Sequence, residues 1–165
     1  TMYERKKSNR FEDFDVNVWN KSLEVNLTGV FLCSQVFINK MIKNKTKGVI
    51  INVASDLGVI APDHRIYDND VKPVDYSVTK HGVIGLTKYL ATYFADKNIR
   101  INSISPGGVY TNQPKGFVKR LSNLIPMNRM ANIDEYKGSI VFLCSNASSY
   151  MTGHNLIVDG GRSVW

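Results

Sequence analysis

Tyr76 and Lys80 stand four residues apart, a spacing that puts both side chains on one face of a helix, one turn from each other. A free phenol gives up its proton only near pH ~10. An ammonium within reach favours the phenolate and lowers that value. The pair therefore suits general acid–base work near neutral pH. The spacing alone is weak, because it recurs as Tyr3 with Lys7 and as Tyr93 with Lys97. Tyr3 lies in a polar lead-in without apolar periodicity. Lys97 closes a helix, where a cation suits the helix dipole. Only Tyr76 opens a helix set between two strand-like runs.

That helix is read over residues 75–98, DYSVTKHGVIGLTKYLATYFADKN. Gly82 and Gly85 fall inside it, each costing about 1 kcal/mol relative to alanine, and are expected to let another backbone come close. Before it, Gly48–Ala54 is a short, nearly continuous apolar run, the pattern of a strand buried on both faces in a parallel sheet. Ser55 ends that strand. After the helix, residues 99–105 read as a second strand, closed by Pro106-Gly107-Gly108. Strand, helix and strand of these lengths predict a crossover joining parallel strands. Ser55, the start of the Tyr76 helix and Pro106–Thr111 then share the carboxyl edge of the sheet, where open parallel sheets bind ligands.

The remaining elements follow from periodicity. Apolar positions Leu23, Leu27, Val30, Phe31, Ile38 and Met41 predict a helix over 18–44, with Ser34, Phe37 and the amide of Asn26 on its core side. Residues 1–16 read as a loop, as does the two-proline stretch 59–74. Residues 112–130 combine a short amphipathic helix with Lys115, Lys119, Arg120 and Arg129, a basic flap over the crevice or a solvated charged face. A helix over 133–146 and a strand at Asn155–Asp159 complete a single domain, 1–165.

The chain has 165 residues and a formal charge of +7. It shows no signal-peptide pattern, and no unbroken apolar run approaches the ~20 residues of a membrane span. The charge allows a nucleic-acid partner, but no basic helix interleaved with aromatics supports one; an anionic cofactor or plain solubility suffices. Cys33 and Cys144 sit in apolar helical patterns and read as small core residues. Two thiols without a disulfide framework favour a reducing cytoplasm. His64 has no ligand partner at metal spacing, so no metal site is expected.

In order along the chain stand Val25-Asn26-Leu27-Thr28-Gly29, Ile51-Asn52-Val53-Ala54-Ser55, Tyr76-Ser-Val-Thr-Lys80, Asn102-Ser-Ile-Ser-Pro106-Gly107-Gly-Val109-Tyr-Thr111, Pro126-Met-Asn-Arg129 and Thr152-Gly153-His-Asn155-Leu-Ile-Val158-Asp159-Gly160-Gly161. Together they resemble roughly the C-terminal two-thirds of a short-chain dehydrogenase/reductase. The resemblance implies an α/β, Rossmann-like, doubly wound parallel sheet, here without its N-terminal dinucleotide-binding strands. It implies an NAD- or NADP-dependent oxidoreductase that interconverts a carbonyl and an alcohol of a small molecule. Tyr76 would be the acid/base, and Lys80 would lower its pKa and hold the nicotinamide ribose. Ser55 would polarise the carbonyl, and Asn26 would hold a water linking Lys80 to solvent. Pro106, Gly107, Val109 and Thr111 would line the nicotinamide end. Members commonly form homotetramers or dimers, which the two helix glycines also suggest.

Two departures qualify the match. No glycine fingerprint opens a helix anywhere in the sequence, and the Ser55–Tyr76 loop is long. That loop and the continuation GGVYTNQPKGFVKRL are similar to bacterial members of surface-sugar and flagellin-glycan pathways. The competing readings are a truncated, non-catalytic binding or assembly module and an extended-type sugar epimerase or dehydratase. The Pro106–Thr111 turn and the Val158-Asp-Gly-Gly ending favour the short type over the last.

Overall fold

The computed structural model describes residues 8–165; the Tyr3–Lys7 pair and the basic cluster Arg5, Lys6, Lys7 lie outside them. Three parallel strands, β1 (Gly48–Val53), β2 (Ile99–Pro106) and β3 (Asn155–Val158), form one sheet in the order β1-β2-β3. The register pairs Val53 with Ile104 and Pro106 with Val158, so β2 and β3 end level and β1 ends two residues short of them, at the same edge.

The central strand explains its own burial. Side chains alternate faces along a strand. Ile99 and Ile101 join Ile38, Leu90 and Ala91 in one apolar cluster. These come from helix α2 (Gly29–Lys43) and helix α3 (Val74–Tyr93). Arg100 and Asn102 point the other way. Arg100 donates to the carbonyls of Leu143, Ser145 and Met151. Asn102 donates to Met151 O at 2.9 Å and accepts from His154 N–H at 3.0 Å. The opposite face thus meets helix α5 (Lys137–Cys144) and the turn that follows it, and the sheet carries helices on both faces.

The long N-terminal helix is not uniform. Helix α1 (Val16–Leu23) is capped by Asp15, which accepts from Asn17 N–H, and passes into a π-helical turn at Glu24–Thr28 before α2 begins. Gly29 N–H reaches back five residues to Glu24 O. The whole run, Val16–Lys43, is long and apolar enough by length and composition to cross a membrane, although the sequence suggests no span. It packs as a layer helix, with Leu27 and Val30 against Ala54, Val83 and Ile84.

Several expected core positions are open. Ser34 and Ile38 are buried, but Phe31 and Phe37 are 43% and 56% exposed. Beside them runs a groove of about 650 Å³ between α2 and the free edge of β1, lined by Val30, Cys33, Phe37 and Ile51 among others. Strand β1 is accordingly only partly buried, not covered on both faces. Both cysteines are free and exposed, a correction to their expected place in the core: Cys33 opens onto this groove, and Cys144 ends α5.

Candidate active site

Helix α3 starts at Val74, directly after Pro73, and carries Asp75 in its first turn. Its register is fixed from within. Thr87 donates to Val83 O at 2.8 Å and accepts from Asn52 Nδ2 at 2.9 Å, which ties the helix to β1. Tyr76 and Lys80 then share the face turned to the end of β1. Lys80 Nζ lies 5.8 Å from the centre of the Tyr76 ring and donates to Val53 O at 2.9 Å. Burial lowers the Lys80 pKa below that of a free lysine. A second ammonium, Lys72 Nζ, stands over the same ring at 3.8 Å, close enough for a cation–π attraction.

Ser55 follows β1 with extended backbone and begins a short 3₁₀ turn, Asp56–Gly58. Its hydroxyl accepts from Leu57 N–H at 3.2 Å and donates to Asp56 Oδ1 at 2.9 Å. The turn lies hard against α3: a Cβ on Gly58 would stand 2.8 Å from Lys80 O. The absent side chain brings the serine and lysine segments into backbone contact. Asp56 also forms an ion pair with Arg162, Nη1 to Oδ2, at 2.7 Å.

Past β2 the chain crosses the end of β3. Gly107 N–H donates to Val158 O, and a Cβ on Gly107 would meet Asp159 Cα at 2.7 Å. Val109 pairs with Ala131 in a single parallel bridge. Gln113 Nε2 donates to Val109 O and Thr111 N–H donates to Gln113 Oε1, both at 2.8 Å. Among the described residues nothing accepts from the Val109 amide N–H, which leaves a backbone donor for a ligand.

Asn26 sits in the π turn, half-buried. Its amide donates to Ser22 Oγ at 3.1 Å, and it makes no direct hydrogen bond to Lys80. The π turn nevertheless packs on α3, since Leu27 touches the position a Cβ on Gly82 would take. Gly82 therefore serves a contact within the chain, and Gly85 has nothing within 4 Å.

Two connections, 59–74 and 112–130, hold each other. In 59–74, Ile66 packs with Leu121, Ile125 and Met130 around Tyr67 and Phe117. Arg120, on helix α4 (Lys115–Ser122), donates to Ile66 O at 3.0 Å and pairs with Asp68 at 2.6 Å. Arg129 pairs with Glu135 through both nitrogens, so two of the flap's four cations serve the fold.

Sequence reasoning missed Asp56, Arg162, Lys72 and Tyr67. Burial raises the Tyr67 phenol pKa, with Arg162 opposing the shift and Asp56 and Tyr76 adding to it, which places Tyr67 among those groups. Lys72 had a signal, lying four residues before Tyr76. Asp56 and Arg162 had none.

Comparison with known proteins gives the family. Residues 2–163 match the family model described as enoyl-(acyl carrier protein) reductase. D-arabinitol 2-dehydrogenase of Candida albicans is 38% identical over 93% of this chain and 56% of its own length. The post-translational flagellin modification protein A of Campylobacter coli is 36% identical over 86% of the chain and 56% of its own. A short-chain dehydrogenase of Leptospira borgpetersenii, solved with bound NAD+, superposes with a TM-score of 0.89 at 42% identity, covering 93% of this chain and 59% of that one. The chain thus spans little more than half the length of the relatives it matches. Its ordered motifs, its parallel sheet and the tyrosine–lysine helix at the sheet's carboxyl edge make it a member of the short-chain dehydrogenase/reductase family.

Proposed function

We propose that the protein bearing this chain is an NAD- or NADP-dependent oxidoreductase interconverting an alcohol and a carbonyl on a small polyhydroxylated molecule. The observation that carries the reading is the half-buried Lys80 ammonium, held by Val53 O within 5.8 Å of the Tyr76 ring centre at the ligand edge of the sheet. Tyr76 takes the alcohol proton or returns it to the carbonyl. Lys80 favours the phenolate by its charge, and its remaining N–H donors suit ribose hydroxyls. Ser55 bonds the substrate oxygen. Asn26, in the π turn against α3, holds the water through which Lys80 exchanges protons.

The residues present fit the nicotinamide end of a dinucleotide. Val109 offers a backbone N–H with no acceptor among the described residues, and Pro106, Gly107 and Thr111 flank it at the close crossing over β3. The cofactor, when bound, supplies or accepts the hydride; the chain positions and protonates. Support for a polyol or sugar-like substrate comes from relatives named for D-arabinitol, glycerol and L-xylulose. Solved relatives include one with NAD+ and a gluconate 5-dehydrogenase of Burkholderia cenocepacia with NADP and tartrate, so either nucleotide stays in the proposal. A cytoplasmic homo-oligomer, dimer or tetramer, completes it.

The test is turnover of the intact protein with NAD or NADP and a panel of D-arabinitol, glycerol and L-xylulose. Tyr76→Phe, which removes one hydroxyl, should cost about 10²- to 10⁴-fold in kcat with unchanged circular dichroism. Wild-type turnover in that variant would sink the assignment.

A further inference from the structure

Asp56 and Arg162 are separated by 106 residues, yet their side chains are only 4% and 7% exposed where they meet. A buried ion pair recovers little more than its desolvation cost, so stability is a poor account of this one. Its position is more telling, because Asp56 directly follows the serine of the crevice. The two carboxylate oxygens divide their work. Oδ2 takes Arg162 Nη1–H at 2.7 Å. Oδ1 takes the Ser55 hydroxyl at 2.9 Å and Leu57 N–H at 2.8 Å. Leu57 N–H also reaches Ser55 Oγ at 3.2 Å. The serine oxygen is thus fixed by a backbone donor and its hydrogen by a carboxylate.

We propose that Asp56 and Arg162 are positioning residues for the Ser55 hydroxyl, the carboxylate aiming its hydrogen and the guanidinium setting how firmly that hydrogen is held. The inference rests on the reading that Ser55 faces the substrate oxygen. With its hydrogen on Asp56, Ser55 presents a lone pair to the crevice and accepts from a substrate alcohol. To polarise a carbonyl, the hydroxyl must rotate off Asp56 and donate instead. A hydrogen bond to a bare carboxylate is roughly twice as strong as a neutral one and would pin the hydroxyl in the first state. Arg162 withdraws charge from the carboxylate, weakens that hold and lets the hydroxyl serve both directions. The arginine lies just past the Gly160-Gly161 turn, which Asp159 holds by accepting from Gly161 and Ser163 N–H at 2.9 and 2.8 Å. The C-terminal segment is thereby wired to the serine.

The Ser55 hydroxyl proton is the probe, observed by NMR in the intact protein without cofactor or substrate, so that the result does not depend on turnover. The wild type should show an exchange-protected, downfield hydroxyl signal. Arg162→Met should move that signal further downfield, because the carboxylate is no longer neutralised, and Arg162→Lys should restore it. Asp56→Asn, which keeps an acceptor for the guanidinium, should abolish the downfield shift in a folded protein. A simple structural strut would not move the signal in this direction. An unprotected Ser55 hydroxyl in the wild type, or an unchanged signal in Asp56→Asn, would overturn the proposal. If Arg162→Met does not fold, Arg162→Gln, which keeps a donor for Oδ2 and loses the charge, takes its place, and an unmoved signal there overturns the role of the guanidinium. Silence of the protein toward every polyol, with these shifts present, would count against the proposed activity and not against the pair.

Discussion

The two flanks of the sheet are built to different standards. Around β2 every group is accounted for: Ile101, Asn102, Ser103 and Ser105 have no exposed surface, and their polar atoms meet named partners across β3. Around α2 and the free edge of β1, large apolar side chains stand open, Val36 at 61% and Phe37 at 56%. The candidate site straddles the two: Pro106 ends β2, while Ser55 and the Lys80 anchor, Val53 O, belong to β1. Tyr76, Lys80, Ser55 and Pro106 are set by contacts inside this chain, whereas the open flank is a surface with apolar capacity to spare.

The contrast can be broken by mutation. Ile101→Ala removes a fully buried side chain and should cost about 2–5 kcal/mol in urea unfolding; a cost like that of a surface change would mean the core of β2 is loose. Gly58→Ala places a Cβ against the Lys80 carbonyl. Overpacking of this kind costs about 1–3 kcal/mol, and turnover should fall along with stability because the serine turn shifts. Gly85→Ala meets nothing and should stabilise the chain by about 0.5–1 kcal/mol through helix propensity. Should a second copy pack on that face of α3, the same change would weaken the assembly in light scattering. Phe37→Ala should alter unfolding by no more than about 0.5 kcal/mol, because the ring has little to lose.

The gentlest probe is pH. Arg129 beside Glu135 holds that carboxyl down at about 2, from 4.5. A depressed carboxyl contributes stability that is present above its unfolded value and is lost as pH falls through the folded one. Arg129→Gln should flatten the stability curve between pH 4.5 and about 2, so that the variant matches the wild type in acid and is the less stable at neutral pH, by little because the pair is exposed and screened.

Local pattern carried most of the fold. The Tyr76 helix, both long strands and the crossover between them were legible as apolar runs of the right lengths bounded by turn residues, and the structure keeps them within a few positions. Periodicity also marked the apolar stripe of the first helix, but a stripe does not say what covers it, and so Phe31, Phe37 and the two cysteines were placed too deep. Gly82 and Gly85 look alike in sequence and differ in use, one facing Leu27 and the other open space. The Asp56–Arg162 pair was invisible because neither residue has a periodic context and only the folded topology brings the chain's last turn to the end of β1.

The π turn at Glu24–Thr28 acts on the first helix as a dislocation acts on a crystal row. One extra residue is absorbed within five, and each residue of an α-helix turns by about 100°. Everything before Glu24 therefore reads the interior in one phase, and everything after Thr28 in another. A single-residue deletion within the turn should heal the helix into a regular one with α1 still facing the interior, whereas a single-residue deletion in the regular turns of α1 or α2 should swing α1 through that angle and lift its packed side away. Length is forgiving in this element, and phase is not.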